Sequence, residues 1–105
     1  MSGYRHREHP EAAAELDEAV RWYESQEPGI GLALVARAER ARQDIADWPQ
    51  AGPAFDGDRR DEIRSRAVRG YPYRIVYAIE ADEIVILAYA HERRRPGYWL
   101  ARLSH

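Results

Sequence analysis

The feature that most constrains this chain is a pair of consecutive apolar runs in its second half, joined by a short acidic turn. The stretch from Tyr71 to Trp99 reads YPYRIVYAIEADEIVILAYAHERRRPGYW, and residues 80–83 form the turn. Both runs are rich in β-branched and aromatic residues, which favour strands. The second run, Ile84–Ala90, is almost wholly apolar, which is typical of a central strand covered on both faces. The pattern predicts a β-hairpin that ends in a cluster of arginines and aromatic side chains, an arrangement suited to presenting a site.

Two amphipathic helices are predicted before this hairpin. The first begins at Pro10, because proline suits the first helical position, and ends before Pro28-Gly29. The second runs from about Ile30 to Asp47 and stops before Pro49, whose ring cannot continue a helix. Each carries one apolar stripe at spacings of three and four residues. The stripes predict a helical hairpin packed on the sheet, with three large side chains buried: Leu34, Ile45 and Trp48.

The remaining strands are shorter. Residues 3–8 alternate weakly and could form an edge strand, and Glu62–Val68 alternates clearly after a polar loop. The following strand is predicted over Tyr73–Ile79, and a short tail over Tyr98–Leu103. The expected fold is α+β: a helical hairpin on a small twisted antiparallel sheet, in the order β-α-α-β-β-β with a short C-terminal tail.

Composition limits the classes of protein to which the chain can belong. Its 105 residues suit a single domain over 1–105, no stretch is apolar enough to span a membrane, and cysteine is absent. The cytoplasm is therefore the expected compartment. All 16 basic residues are arginine. Residues 1–53 carry 6 arginines and 10 acidic residues, a net charge of −4. Residues 54–105 carry 10 arginines and 8 acidic residues, a net charge of +2. This distribution favours a protein partner over nucleic acid.

The order of these features resembles the RelE/ParE superfamily of small bacterial toxins. The resemblance rests on PYRIVY, the following hydrophobic strand and AHERRRPGYW after a helical hairpin, and it covers roughly Pro10 to Arg102. It implies the toxin of a type II toxin–antitoxin module, as in plasmid stabilisation systems. It also implies a cognate antitoxin that binds the toxin as a hetero-oligomer, over the helices and the sheet. An exposed apolar surface including Tyr73 and Val76 is expected beneath that antitoxin.

The superfamily divides by target. ParE-like members poison DNA gyrase, and RelE-like members are endoribonucleases that cut mRNA in the ribosomal A site. The AHERRRPGYW ending looks more like the ParE-like branch, which implies inhibition by binding. The target-binding residues would then be the basic and aromatic side chains of that ending: Arg93, Arg94, Arg95, Tyr98 and Trp99. A third reading is a solitary or decayed member that acts only as a protein-binding domain.

The ribonuclease alternative would use basic residues on the sheet and a proton-transfer group. The resemblance places the basic residues at Arg64, Arg66, Arg74 and Arg93 and an aromatic role at Tyr98 or Trp99, and the need for proton transfer adds His91. Arg64, Arg66 and Arg74 are expected on one face of the sheet, where guanidinium groups could bind phosphate. Ribonucleases of the family often carry lysines on the first of these strands, and this chain has arginines. Arginine cannot act as the base, which leaves His91, Tyr98 and the carboxylates Glu62 and Glu92; of these, His91 or Tyr98 is expected to transfer protons.

Each of these residues also has a structural interpretation. The arginines could form ordinary cross-strand ion pairs, His91 could cap a strand end, and Tyr98 and Trp99 could close the core. The four histidines and their neighbours form no metal-binding signature, and neither a metal nor a cofactor is expected.

Overall fold

The structure is a computed structural model, and it describes residues 4–55 and 62–103. The order of elements is the predicted β-α-α-β-β-β, followed by a short 3-10 helix. The bounds are β1 Arg5–Glu8, α1 Pro10–Gln26, α2 Ile30–Asp47, β2 Glu62–Ala67, β3 Tyr73–Glu80, β4 Glu83–His91 and the 3-10 helix Tyr98–Arg102. The predicted strand over residues 3–8 and the predicted loop over residues 50–61 lie partly outside the described residues. No helix within the described ranges is long and apolar enough to cross a membrane.

The α+β fold is confirmed, and its sheet is mixed. The strand order is β1-β4-β3-β2. Strands β2, β3 and β4 form the predicted antiparallel meander, with β4 in the interior of the sheet. Strand β1 adds to the free side of β4 and runs parallel to it. A parallel pair needs a long crossover between its strands, and the helical hairpin together with the meander supplies that connection.

Two apolar clusters lie on opposite faces of the sheet. The helical hairpin covers one face, which includes Ile75, Tyr77 and Tyr89. The 3-10 helix and Phe55 cover the other face, where Trp99 is 4% exposed. An irregularity between Val76 and Tyr77 shifts the register, so that β4 contributes one extra residue there. The sheet is therefore buried on both sides, as the apolar composition of β4 predicts.

The apolar stripe of α2 is confirmed except at its end. Leu34 and Ile45 are fully buried, whereas Trp48 is 68% exposed. The prediction for Trp48 is wrong because the helix ends at Asp47. Trp48 has φ −138° and ψ 65°, which are not helical values, so its side chain does not point toward the sheet as it would in a continued helix.

Replacing Ile45 with alanine is expected to lower the free energy of unfolding by about 2–5 kcal/mol, because a fully buried side chain leaves a cavity. The matched control is Leu32→Ala on the same helix, where the side chain is 69% exposed and the loss should stay within about half a kcal/mol. Denaturant unfolding of the two variants measures both values. Equal losses would show that the stripe of α2 does not pack on the sheet.

Glu24 connects the two helices in a way that the sequence did not reveal. Its carboxylate accepts backbone N–H bonds from Gly29 (2.8 Å), Gly31 (2.8 Å) and Leu32 (3.2 Å), and so caps the N-terminus of α2. A Cβ at Gly31 would lie 2.4 Å from the carbonyl oxygen of Val20, so glycine allows the helices to meet closely. The hydrogen bond from the backbone N–H of Gly29 is the main cause that lowers the pKa of Glu24, and burial of the carboxylate partly opposes this shift.

This capping predicts a pH-dependent contribution to stability. Because the folded state lowers the pKa of Glu24, its contribution is fully present above the ordinary value of 4.5 and is lost as pH falls through the lower folded value. Glu24→Ala should therefore lower the Tm at neutral pH, and the difference from the parent protein should narrow in acid. Glu27→Ala, an exposed acid in the same connection, is the control. A Tm difference that stays constant with pH would contradict the capping role.

Candidate functional site

The cross-strand register separates the three arginines that were expected on one face. Arg64 is paired with Tyr77 and Arg66 with Ile75, so both side chains leave the sheet on the face that carries the helices. Arg74 is paired with Ala67 and leaves on the opposite face, where its Nε donates to Ser65 Oγ at 2.9 Å. The prediction of a shared arginine face is wrong. The alternation of side chains within β2 and within β3 was correctly predicted. The register between the two strands, however, places Arg64 and Arg66 on one face and Arg74 on the other.

Arg64 is held by contacts within the fold. Its Nε lies 2.5 Å from a carboxylate oxygen of Glu62, and its Nη1 donates to the carbonyl oxygen of Gly52 at 2.7 Å. The side chain is 23% exposed. These bonds fix the loop before β2 against the edge of the sheet. Arg66 is less constrained, since its Nε lies 3.8 Å from Asp44.

His91 ends β4 and is half-buried. Its ring packs edge-on against Tyr73, with 5.1 Å between centroids, and its Nδ1 accepts the backbone N–H of Arg93 at 3.0 Å. This bond shapes the turn that follows β4. His91 also lines a cleft of about 240 Å³, the His91 cleft, whose other polar lining residues are Arg64, Ser65, Arg74, Glu92 and Arg94. Of the residues that the ribonuclease alternative names, the structure brings Arg64, Arg74 and His91 to this one cleft.

Tyr98 belongs to a partly buried ionic cluster around Glu15, which we call the Glu15 cluster. The Tyr98 hydroxyl donates to Glu15 Oε2 at 2.7 Å, and Arg102 binds the same carboxylate through two bonds of 3.0 Å. Arg94 lies 3.6 Å from Glu15 and places its guanidinium 3.7 Å from the centre of the Tyr98 ring. Burial, and next the bond to Glu15, raise the pKa of Tyr98 well above its ordinary value. A phenol in this state is a poor general base at neutral pH.

The Glu15 cluster also completes the edge of β4. Strand β1 ends at Glu8, and beyond that point the backbone N–H of Tyr89 donates to Glu15 Oε1 at 3.0 Å. Arg102 Nη1 donates to the carbonyl oxygen of Leu87 at 2.9 Å. The paired carboxylate and guanidinium thus satisfy backbone groups that a longer β1 would have bound. They also join the C-terminal 3-10 helix to α1.

The five residues expected to bind the target differ in exposure. Trp99 is buried and packs against Phe55, with ring centroids 5.0 Å apart. Tyr98 is half-buried within the Glu15 cluster, and Arg94 is exposed but stacks on it. Arg93 and Arg95 are exposed and make no ion pair in the part of the chain that the structure describes. Of this set, Arg93 and Arg95 have the most freely available guanidinium groups.

A model of one protein family matches residues 7–96 of this chain, and it describes the ParE toxin of the type II toxin–antitoxin system parDE. The chain belongs to the ParE toxin family. A solved structure described as the chromosomal ParDE TA system from P. aeruginosa has the same fold, with a TM-score of 0.70 and 18% sequence identity. The alignment covers 84% of this chain and 95% of that one. No curated protein matches the chain.

Sequence reasoning missed most of the residues that organise this ParE-family domain. Glu15 and Arg102 are 87 positions apart, and neither stands in a local pattern that indicates a contact. Arg40 could have been found, because its spacing of four residues from Asp44 on α2 predicts the ion pair that the two side chains form at 3.6 Å. Within the described ranges, no group of three or more histidine, aspartate or glutamate side chains is placed to hold a metal ion. His105, one of the four histidines considered above, lies outside those ranges.

Proposed function

We propose that this ParE-family protein inhibits DNA gyrase by binding it and performs no chemistry of its own. The observation that carries the proposal is that Tyr98, one of the two candidate proton-transfer groups, is held by Glu15 with a raised pKa. Arg66, one of the arginines proposed for phosphate binding, does not line the His91 cleft with Arg64 and Arg74. Family membership adds support, because ParE-like resemblance implies gyrase as the target.

The proposed contact surface is the turn between β4 and the 3-10 helix. Arg93 and Arg95 are exposed there, beside Arg94. Arginine is among the side chains that most often dominate protein–protein contacts. Trp99 would support this turn from within the core, and Tyr98 would hold Arg94 in place through its ring.

We further propose a cognate antitoxin that silences the protein as a hetero-oligomer in the cytoplasm. Trp22 is 58% exposed and lies in a groove with Tyr23 and Tyr73, a surface suited to an apolar segment of such a partner. Val76, which was expected on this surface, is instead only 5% exposed and packs in the cluster beneath the 3-10 helix. That expectation is wrong because the sheet is covered on both faces.

The deciding experiment adds the purified protein to two reactions. One is DNA supercoiling by purified gyrase, and the other is translation of a defined mRNA on purified ribosomes. The proposal expects inhibited supercoiling and intact mRNA. Binding of the neighbouring gene product without either effect would instead favour the third reading, a domain that only binds protein.

A second candidate, the ribosome-dependent endoribonuclease, is favoured by one observation: Arg74 and His91 line the same cleft. Arg74 would stabilise phosphate charge and His91 would transfer a proton there. Cuts in the ribosomal A site that disappear in Arg74→Ala, with supercoiling unaffected, would replace gyrase binding by this activity.

A further inference from the structure

A second cleft, separate from the turn proposed to bind gyrase, lies along the outer edge of β2. Its volume is about 490 Å³, and it is bordered by the C-terminal half of α2, residues 51–53 and the ends of β2 and β3. We call it the arginine cleft, because its charged lining among the residues that the structure describes consists of five arginines and one carboxylate. These residues are Arg37, Arg40, Asp44, Arg66, Arg69 and Arg74.

The charge in the arginine cleft is poorly balanced. Asp44 is shared, since one carboxylate oxygen lies 3.6 Å from Arg40 and the other 3.8 Å from Arg66. Arg37 and Arg69 are exposed and make no ion pair or side-chain hydrogen bond within the described ranges. Arg74 donates to the hydroxyl of Ser65, which carries no charge. Five arginines beside one carboxylate produce a local positive potential on a chain whose formal net charge is −2.

The shape of the cleft suits an extended chain. Residues 53–55 pair with the first half of β2, through Phe55 N–H to Ile63 at 2.7 Å and Ser65 N–H to Pro53 at 3.2 Å. The second half of this edge borders the cleft, and Ala67 is exposed there. An extended segment presents alternate side chains to one side about 7 Å apart. Its acidic side chains could therefore meet several arginines in succession.

The lining favours carboxylates of a protein over a nucleic acid backbone. Among residues 4–55 and 62–103, no aromatic side chain lines the cleft, whereas proteins that bind single strands usually stack bases on aromatic rings. Exposed acids, Glu39 and Asp47, lie on the same helix and would repel a phosphate backbone that continued beyond the cleft. Guanidinium groups bind carboxylates bidentately, so a short acidic segment satisfies the site without needing a broad basic surface.

We propose that the arginine cleft is a docking site for an acidic, extended segment of a partner protein. The site does not depend on which macromolecule the toxin arrests. Peptide binding is measured without gyrase or ribosomes, so a negative result here leaves the proposed function untouched, and the reverse also holds.

The test titrates the full-length protein at low ionic strength with a blocked peptide of alternating aspartate and serine, using calorimetry. The same peptide with asparagine in place of aspartate is the ligand control. Arg37→Gln/Arg69→Gln should weaken binding of the aspartate peptide by about tenfold or more, because two charged contacts are lost. The protein control is Arg5→Gln/Arg21→Gln, which removes the same charge from side chains that are 76% and 75% exposed elsewhere. It should change binding by less than about twofold.

Added salt should weaken binding of the aspartate peptide to the parent protein. Three results would each overturn the inference. The first is equal binding of the aspartate and asparagine peptides, or no binding of either. The second is an equal loss in the two double variants, which would indicate a general charge effect. The third is tighter binding of an oligothymidylate than of the aspartate peptide, with the same dependence on Arg37 and Arg69, which would assign the cleft to nucleic acid.

Discussion

Replacing Arg102 with alanine is expected to destabilise the fold by about 2–3 kcal/mol, below the range for one partner of a fully buried ion pair because this pair is only partly buried. The Arg102 side chain is 10% exposed and that of Glu15 is 16% exposed. Without Arg102, the carboxylate of Glu15 loses two hydrogen bonds of 3.0 Å in a place that is largely shielded from water. The carbonyl oxygen of Leu87 also loses a donor. Denaturant unfolding measures the loss.

Two further variants separate this explanation from general effects of losing an arginine. The free energy of unfolding of Arg102→Lys should lie between those of the parent and the alanine variant. An ammonium group keeps the charge but cannot bind the carboxylate through two parallel hydrogen bonds, as the planar guanidinium does. Arg5→Ala removes a side chain that is 76% exposed and should cost less than about 1 kcal/mol. If Arg102→Ala were no more harmful than Arg5→Ala, the Glu15 cluster would not be a source of stability.

Arg93→Ala/Arg95→Ala is expected to raise the concentration needed for half-inhibition of gyrase by about 30-fold or more. This corresponds to the loss of at least one dominant contact, about 2 kcal/mol. Both side chains are exposed, so folding should be unaffected. His91→Ala should matter little, because the proposed binding needs no proton transfer. Supercoiling of relaxed plasmid, titrated with each variant, measures the effect.

The control for this second experiment is Arg21→Ala, which removes a cation from α1 whose side chain is 75% exposed. Its inhibition of gyrase should match that of the parent. Unchanged inhibition by Arg93→Ala/Arg95→Ala would move the gyrase contact to another surface. If the protein cut mRNA instead, His91→Ala should reduce the rate by about 10²–10⁴ and Arg74→Ala by about 10²–10³.

The sequence determined the local architecture of this protein. Helical periodicity, with proline at each boundary, correctly placed α2 at Ile30–Asp47. Period-two alternation correctly separated Ile63 from Arg64 within β2, and the apolar run of β4 correctly indicated a strand covered on both faces. These features depend on neighbours a few residues apart, so steric preference and the pattern of burial suffice to predict them. The resemblance carried by the hairpin and its basic ending also identified the toxin superfamily.

Only the tertiary structure decided how distant parts face one another. The register of β2 against β3 placed Arg64 and Arg74 on opposite faces, and a difference of one residue in that register reverses a face. The pairing of Glu15 with Arg102 joins α1 to the 3-10 helix across the edge of β4, beyond the end of β1. The arginine cleft likewise gathers residues from α2, β2 and β3. Such contacts depend on the relative position of whole elements, which is set by packing both faces of the sheet at once and leaves no local pattern in the chain.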